Sequence, residues 1–301
     1  MQRIKQRQSI GQRIFKAFLW ALMIIYCISM LFPLIWMVYT TFKSEFEFTI
    51  NAFDFPQEIA ETGFSNFKGM LKIFVMPVIK NGYPAEYRFP QMFVFSVIWA
   101  FSTSLINVYF TTIVAYVMAK YRFRGREFLY ALGIFVMITP IVGNFPSAMT
   151  VKKFLGVYDN MFLTVITTPS TVFSGVHFML MFAAFKHISW TYAEAAFIDG
   201  ASDHRVMYAI MIPLVLPTCA VLFVLQFLGA WNDYGTFIIW LPSYPTLAYG
   251  MLTFQANADK YGATVPEIMA GFTLVAIPNI ILYLAAQKLI LAKFTVGGLK
   301  E

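Results

Sequence analysis

The run from Ala17 to Thr41 holds 25 residues without a charged side chain. At about 1.5 Å of helical rise per residue, such a run reaches across a hydrocarbon core of about 30 Å. Five more long apolar runs follow, at 92–119, 128–149, 162–185, 207–231 and 267–291, the last with Glu267 and Lys288 near its ends. Inside a bilayer every backbone N–H and C=O must be satisfied within the chain, so long apolar runs dictate helices. Composition agrees: 12% of residues are charged and 59% hydrophobic, where a soluble domain carries about 25% charged residues. A large soluble protein is excluded. The expected fold is an all-α integral membrane protein with six transmembrane helices. The first run exceeds the ~7–15 residues of a signal-peptide core, and no small-x-small site closes it. It is expected as an uncleaved span.

Lysine and arginine set the expected orientation. With the N-terminus inside, the inside segments carry Arg3, Lys5, Arg7, Arg13, Lys16, Lys120, Arg122, Arg124, Arg126, Lys186, Arg205, Lys288, Lys293 and Lys300. The remaining basic residues are thinly spread over longer outside loops, so the positive-inside rule gives N-in and C-in. The domain reading is an N-terminal segment 1–16, a membrane domain 17–291 with a loop at 187–206, and a tail 292–301. The net charge of +7 is therefore read as basic inside loops, not as a nucleic-acid surface. The outside loops 42–91 and 232–266 are aromatic, and Pro242 and Pro245 forbid a simple helix in the second. Interfacial anchoring and contact with an external partner both fit them. Cys27 and Cys219 lie in apolar runs and are expected as buried thiols.

One segment breaks the apolar pattern. Residues 194–213 read EAAFIDGASDHRVMYAIMIP, with Glu194, Asp199, Asp203, His204 and Arg205 close together. Each such charge at a membrane helix centre costs about 2.5–3.5 kcal/mol, against about 0.3–0.6 returned by a Leu, Ile or Phe. The segment must lie outside the hydrocarbon, on the inside face by the charge count. Its residues spell helix, turn, helix. Thr191 and Glu194 have capping-box spacing, Gly200 suits a left-handed stop, and Ser202 suits an N-cap with Asp203 favourable after it. Trp190, Ala193 and Phe197 share one side of the first helix. Pro213 should kink the helix that follows.

Glu194-Ala195-Ala196, three residues, Gly200, nine residues, then Ile210-x-Ile212-Pro213 resembles the EAA motif of ABC importer permease subunits. Ile212 stands where the pattern often has Leu. AYVMAKYRFRGRE at 115–127, WNDY at 231–234 and VGGLKE at 296–301 are similar to segments of the carbohydrate branch, the maltose-type permeases. The resemblance runs over nearly the whole chain and is weakest across about 70–90. It implies a multi-pass protein of the bacterial plasma (inner) membrane. Its expected partners are a second homologous permease subunit, two ATPase subunits and an extracellular or periplasmic sugar-binding protein. ATP and Mg²⁺ would bind in the ATPase subunits, with no cofactor and no metal in this chain. It further implies an ATPase-coupling site at Glu194, Ala195, Ala196, Asp199, Gly200, Asp203 and Arg205, and an ATPase-contacting tail at Gly297, Gly298, Leu299 and Lys300.

No catalytic residue is expected. The chain lacks G-x-x-x-x-G-K-[ST], and His177, His187 and His204 form no H-E-x-x-H. Candidates for a substrate path or outer gate are Asn107, Gln226, Asn279, Trp231, Asn232 and Asp233, because polar groups within spans face a bundle interior. Interhelical hydrogen bonding is the preferred reading of the first three, and interfacial anchoring with a helix-end cap is the alternative for the others. The solute expected is a sugar or oligosaccharide, with a polyol or glycerol phosphate ester as the alternative. A membrane enzyme of lipid phosphates would need Asp199 and Asp203 to hold Mg²⁺, and a scaffold or receptor would need no ATPase partner.

Overall fold

A computed structural model describes residues 10–57, 59–80, 82–139, 145–168 and 175–296. Helices α1 (Ile10–Thr40), α2 (Glu45–Ile50), α3 (Ile59–Thr62) and α4 (Ser65–Ile73) precede a hairpin of β1 (Val75–Lys80) and β2 (Tyr83–Arg88). Then come α5 (Phe89–Lys120), α6 (Arg126–Ile138), α7 (Phe145–Phe154), α8 (Met161–Thr167), α9 (Val176–His187), α10 (Thr191–Ile198) and α11 (Asp203–Val206). A π turn at Met207–Met211 leads into α12 (Ile212–Trp231), α13 (Gly235–Ile239), α14 (Leu247–Ala256), α15 (Ala258–Tyr261) and α16 (Val265–Val296).

Among the described residues, four helical stretches are long and apolar enough to cross a membrane: Ile10–Thr40, Phe89–Lys120, Asp203–Trp231 and Val265–Lys288. They coincide with the first, second, fifth and sixth apolar runs. The two middle runs differ from expectation. The third is divided between α6 and α7, and the fourth between α8 and α9. Proline gives the reason for the first division. Thr139, the residue before Pro140, is extended at φ −84°, ψ 111°, because a following proline disfavours the helical region.

The chain divides into two compact units, Met1–Ile73 with Asn257–Leu274, and Phe74–Ala256 with Val275–Glu301. In the first unit, α1 turns Phe18, Ile24 and Leu31 outward, and its apolar window buries nothing against protein. Lipid is the solvent such a face needs. Cys27 is accordingly exposed, against the expectation of a buried thiol, while Cys219 is buried. The chain after α1 folds back on it. Trp36 Nε1 donates to Ala52 O at 2.9 Å and Tyr39 Oη to Phe53 O at 3.0 Å. Asn66 spends both amide protons on Thr41 O and Lys43 O, at 2.8 and 2.7 Å. Glu267 accepts from Thr264 N at 3.0 Å and so caps α16. A Cβ on Gly69 would sit 2.1 Å from Glu267 Oε1.

In the second unit α5 is the axis, packed on α9 and α12. Around its Lys120 end lie buried Tyr116, Met118, Met181, Phe185, Val206 and Met211. Around its other end lie Trp99, Met161, Val165, Phe237 and Leu241. The hairpin departs from the all-α expectation. Lys80 pairs with Tyr83, which leaves a two-residue turn, and Gly82 has φ +83°. Ser243 Oγ lies 2.8 Å from Ile79 O and 2.6 Å from Asp159 Oδ2, and Ser243 N donates to Asp159 Oδ1 at 3.0 Å. Asp159 itself is left-handed, at φ +54°. Lys80 Nζ lies 4.9 Å from the Tyr244 ring centroid. These contacts seat the hairpin on the 240–246 turn.

Candidate functional site

The charged segment folds as helix, turn, helix. Ala193 and Ala196 face inward and are buried, while Glu194, Ala195, Asp199 and Gly200 are exposed. Alanine at the two inward positions lets α10 lie close on the core formed by α5, α9 and the π turn. Gly200 has φ +78°. Its N–H bonds Phe197 O at 3.0 Å and that of Ala201 bonds Ala196 O at 2.9 Å, the paired bonds of a Schellman stop. Ser202 caps α11, accepting from Arg205 N. The expected box at Thr191 is absent. Trp190 already has helical torsions without a side-chain cap, and Thr191 is the first residue of α10. Trp190 packs on Tyr121 and Phe197, with ring centroids 6.0 and 6.2 Å away, and this packing carries the helix one residue further back.

The helix widens just before Pro213. Ile212 N bonds Met207 O, five residues back. The widened turn relieves the clash between the proline ring and a carbonyl that a tight α-turn imposes. Asp203 to Trp231 is one continuous helical stretch.

The segment is fastened to α5. Tyr121 Oη donates to Asp203 Oδ1 at 2.8 Å, and Lys120 Nζ bonds Ile188 O. The Tyr121 ring stands edge-on to Tyr116 at 5.6 Å. Partial burial pushes the Tyr121 hydroxyl up from its ordinary range, and the neighbouring Tyr116 and the hydrogen bond to Asp203 push it further. Sequence reasoning did not single out Tyr121. Among the described residues the ion pair is Arg126–Glu127, so Glu194, Asp199 and Arg205 present charge without an internal counter-ion. Asp199 is exposed and Asp203 is engaged by Tyr121. No group of three His, Cys, Asp or Glu side chains comes together among the described residues.

A cavity of about 680 Å³ lies at the other end of α5. Trp99 and Thr103 of α5, Thr164 and Thr167 of α8 and Gln226 of α12 line it, with Lys152, Asp233 and Trp240. Lys152 Nζ stands 4.1 Å from the Trp240 ring centroid. Asp233 Oδ1 accepts from Thr236 N at 3.0 Å, capping the short α13.

Of the expected path residues, Gln226 and Asp233 reach this cavity. Trp231 is 1% exposed, stacked on Phe227 at 5.8 Å, and donates to Val275 O at 3.1 Å. Its position is one of packing. Asn232 Nδ2 bonds Leu228 O, and Asn279 Nδ2 bonds Asn232 Oδ1. Asn107 Nδ2 bonds Thr103 O, one turn back. Gly297, Gly298, Leu299 and Lys300 lie outside the described residues.

Residues 111–296 match the family described as binding-protein-dependent transport system inner membrane component. The chain belongs to this family. The matched stretch takes in the whole EAA segment and leaves out the first unit's N-terminal part, the hairpin, Trp99 and Thr103. Among relatives of this inner-membrane family, an arabinooligosaccharide permease protein (AraQ) of Halalkalibacterium halodurans is 28% identical over 65% of this chain and 69% of its own. The diacetylchitobiose uptake permease protein (NgcG) of Streptomyces coelicolor is 23% identical over 95% and 90%. A probable ABC transporter permease (YurM) of Bacillus subtilis is 25% identical over 93% and 87%. In three dimensions, a chain of a bacterial ABC transporter that imports the polysaccharide alginate aligns with TM-score 0.75 at 23% identity, over 94% of this chain and 99% of that one. That likeness establishes a shared fold.

Proposed function

We propose that this chain is a pore-forming permease subunit of an ATP-driven importer that moves a sugar or oligosaccharide into the bacterial cytoplasm. One observation carries the reading. An exposed helix-turn-helix with uncompensated charge is joined without a break to a membrane-length helix, in a chain of a binding-protein-dependent transport family. Such a segment is a lever. Closure of a partner ATPase can bias the pore only through contacts that differ between its two states, and α10 offers the surface for them. Relatives named for arabinooligosaccharide and diacetylchitobiose transport support a carbohydrate solute. The cavity's tryptophans and threonines suit one.

In this reading the chain crosses the plasma membrane six times with both termini in the cytoplasm, and the α6–α7 and α8–α9 pairs make the third and fourth crossings as interrupted helices. Glu194, Ala195, Ala196, Asp199, Gly200, Asp203 and Arg205 meet the ATPase, and the tail Gly297–Lys300 reaches it as well. ATP and Mg²⁺ are held by two ATPase subunits. A second permease completes the pore, and an external binding protein delivers the sugar to the loops around 42–91 and 232–266.

The test is reconstitution of the full complex in liposomes, with binding protein and labelled oligosaccharide. Glu194→Ala and Gly200→Val should lower uptake strongly while the ATPase still co-purifies. Wild-type uptake in both variants would remove the coupling role, and absence of any ATP-dependent saccharide uptake would remove the importer reading.

A further inference from the structure

Two cations on different helices meet near the Lys120 end of α5. Tyr130 of α6 and Phe182 of α9 are in ring contact, with centroids 5.0 Å apart. Arg126 stands one turn before Tyr130 and Lys186 one turn after Phe182, so an i, i+4 step along each helix brings both cations to one place. With Glu127 and the two rings they line a small pocket of about 70 Å³. That is far below the ~300–1,000 Å³ of a site that encloses a small molecule, and it suits a single anchoring group. The charge around it is one-sided. Arg122 and Arg124 lie in the turn that opens α6, and both are exposed. Glu127 is the pocket's carboxylate and pairs with Arg126 at 2.5 Å, while Asp203 is held by Tyr121. Among the described residues Arg122, Arg124 and Lys186 have no carboxylate within 4.0 Å. Gly125 is the N-cap of α6 and no side chain caps the helix, which adds the positive end of a helix to the same place. Directly beyond this basic turn the helix changes character. Phe128, Leu132 and Phe135 follow at i, i+4, i+7 and are 70, 41 and 63% exposed, an apolar ridge turned outward. Cations at the head of an apolar ridge repeat the order of an anionic phospholipid, charge first and chains after it.

We propose that this pocket binds the phosphate of an anionic phospholipid of the inner leaflet, with Arg126 and Lys186 on the phosphate and the acyl chains along Phe128, Leu132 and Phe135. The inference rests on the six-crossing orientation proposed above. Arg126 bonds Glu127 Oε1 through Nε and Nη2, which leaves Nη1 for a phosphate oxygen. Lys186 Nζ, now 5.6 Å from the Phe182 ring centroid, supplies a second charge-assisted bond. A zwitterionic lipid offers the same phosphate but brings an ammonium among these cations. An anionic lipid does not, and the exposed Arg122 and Arg124 add to the field that draws it in.

Native mass spectrometry of the purified full-length chain in detergent, titrated with phosphatidylglycerol and with phosphatidylcholine of the same acyl chains, tests the site. Phosphatidylglycerol should bind at least about tenfold more tightly. The preference should fall to about twofold or less in the double variant Arg126→Gln, Lys186→Gln and persist in Arg126→Lys, Lys186→Arg. The pair Lys72→Gln, Lys260→Gln removes the same charge elsewhere and should leave it intact. Equal affinities for the two lipids in the wild type, or an equal fall in the control pair, would overturn the site. So would displacement of phosphatidylglycerol by an equal concentration of inorganic phosphate, which would make the ligand a free anion. A preference untouched by the pocket variant while the ATPase no longer co-purifies would assign the cations to the ATPase instead. Labelling separates the two levels of inference. Arg124→Cys should react with a membrane-impermeant thiol reagent, above the wild-type background, in inverted vesicles only. That labelling without a lipid preference removes the site and leaves the orientation standing; labelling from the outside removes both.

Discussion

The Tyr121 hydroxyl donates to Asp203 Oδ1 at 2.8 Å, joining residues 82 positions apart. One partner closes the C-terminal end of α5 and the other opens α11. The far half of α5 carries Trp99 and Thr103 into the cavity wall, so this bond connects the charged segment to the helix that shapes the cavity. Tyr121→Phe keeps the ring contacts with Tyr116 and Trp190 and removes only the hydrogen bond. Its exposed setting limits the expected loss of stability to about 1 kcal/mol. The effect on coupling should be larger. In the reconstituted complex, ATP hydrolysed per sugar imported should rise several-fold in Tyr121→Phe and in Asp203→Asn. An unchanged ratio in both variants would show the bond to be structural only.

The same hydroxyl carries a pH signature. Its folded-state pKa is raised, by partial burial first and then by the neighbouring Tyr116 and the hydrogen bond to Asp203. A raised pKa means the folded state favours the protonated form. The stabilisation is therefore complete below the ordinary tyrosine value of about 10 and is lost as pH rises through the folded value. Thermal unfolding of wild type and Tyr121→Phe in detergent should differ at neutral pH and converge in strong alkali. A gap that stayed constant with rising pH would contradict the assignment.

Gly200 should tolerate substitution badly for a conformational reason alone. No atom lies within 4 Å of the place a Cβ would take, while φ is +78°. A left-handed L-residue costs roughly 1–2 kcal/mol. Gly200→Ala should speed hydrogen exchange at the Ala201 amide, which bonds Ala196 O, by about tenfold, the equivalent of 1.4 kcal/mol. Gly200→Asn should do less. Equal exchange in wild type and Gly200→Ala would mean that the turn can be closed another way.

Gly69 presents the opposite case, an ordinary backbone with no room. A new methyl group would meet Glu267 Oε1 and push away a carboxylate that caps Thr264 N. Loss of such a cap costs about 1 kcal/mol. Gly69→Ala should lower the unfolding temperature in the wild type and have little further effect in Glu267→Ala. Additive losses in this double-mutant cycle would show that the two sites are independent.

Much of the charged segment was legible because its chemistry is local. Gly200 and Ser202 are named by the backbone they must adopt, and both stand as expected. Thr191 was misread because the ring packing of Trp190 on Tyr121 comes from elsewhere in the chain. The break between α6 and α7 was written in Pro140, and the hairpin in Asn81-Gly82, a dipeptide suited to a two-residue turn. The aromatic loop around them drew attention instead to interfacial anchoring. Trp231 shows a harder limit. Its residue type suits a gate, but only the packed helices show Phe93 and Phe227 beside it. The cavity was illegible for the same reason, since its wall is gathered from positions between Trp99 and Trp240.

Asp159 and Ser243 give a further measurement. Asp159 supplies both carboxylate oxygens to a serine that is 1% exposed. Asp159→Ala would leave the Ser243 N–H buried without that acceptor, at about 1–3 kcal/mol, and force alanine into a left-handed site. Hydrogen exchange across Val75–Arg88 should accelerate. Asp159→Gly, which relieves the torsion alone, should recover only part of the protection; full recovery would show that the torsion and not the carboxylate holds the hairpin.

The wide turn at Met207–Met211 gives the helix between the charged segment and α12 a degree of slack. A π turn stores one residue more than an α turn of the same hydrogen-bonded length. If that surplus residue moves along the helix, the segment on one side rotates against the other while the backbone stays bonded throughout. Under the proposed coupling role, such a shift would turn a push at the charged end into twist at the end that borders the cavity.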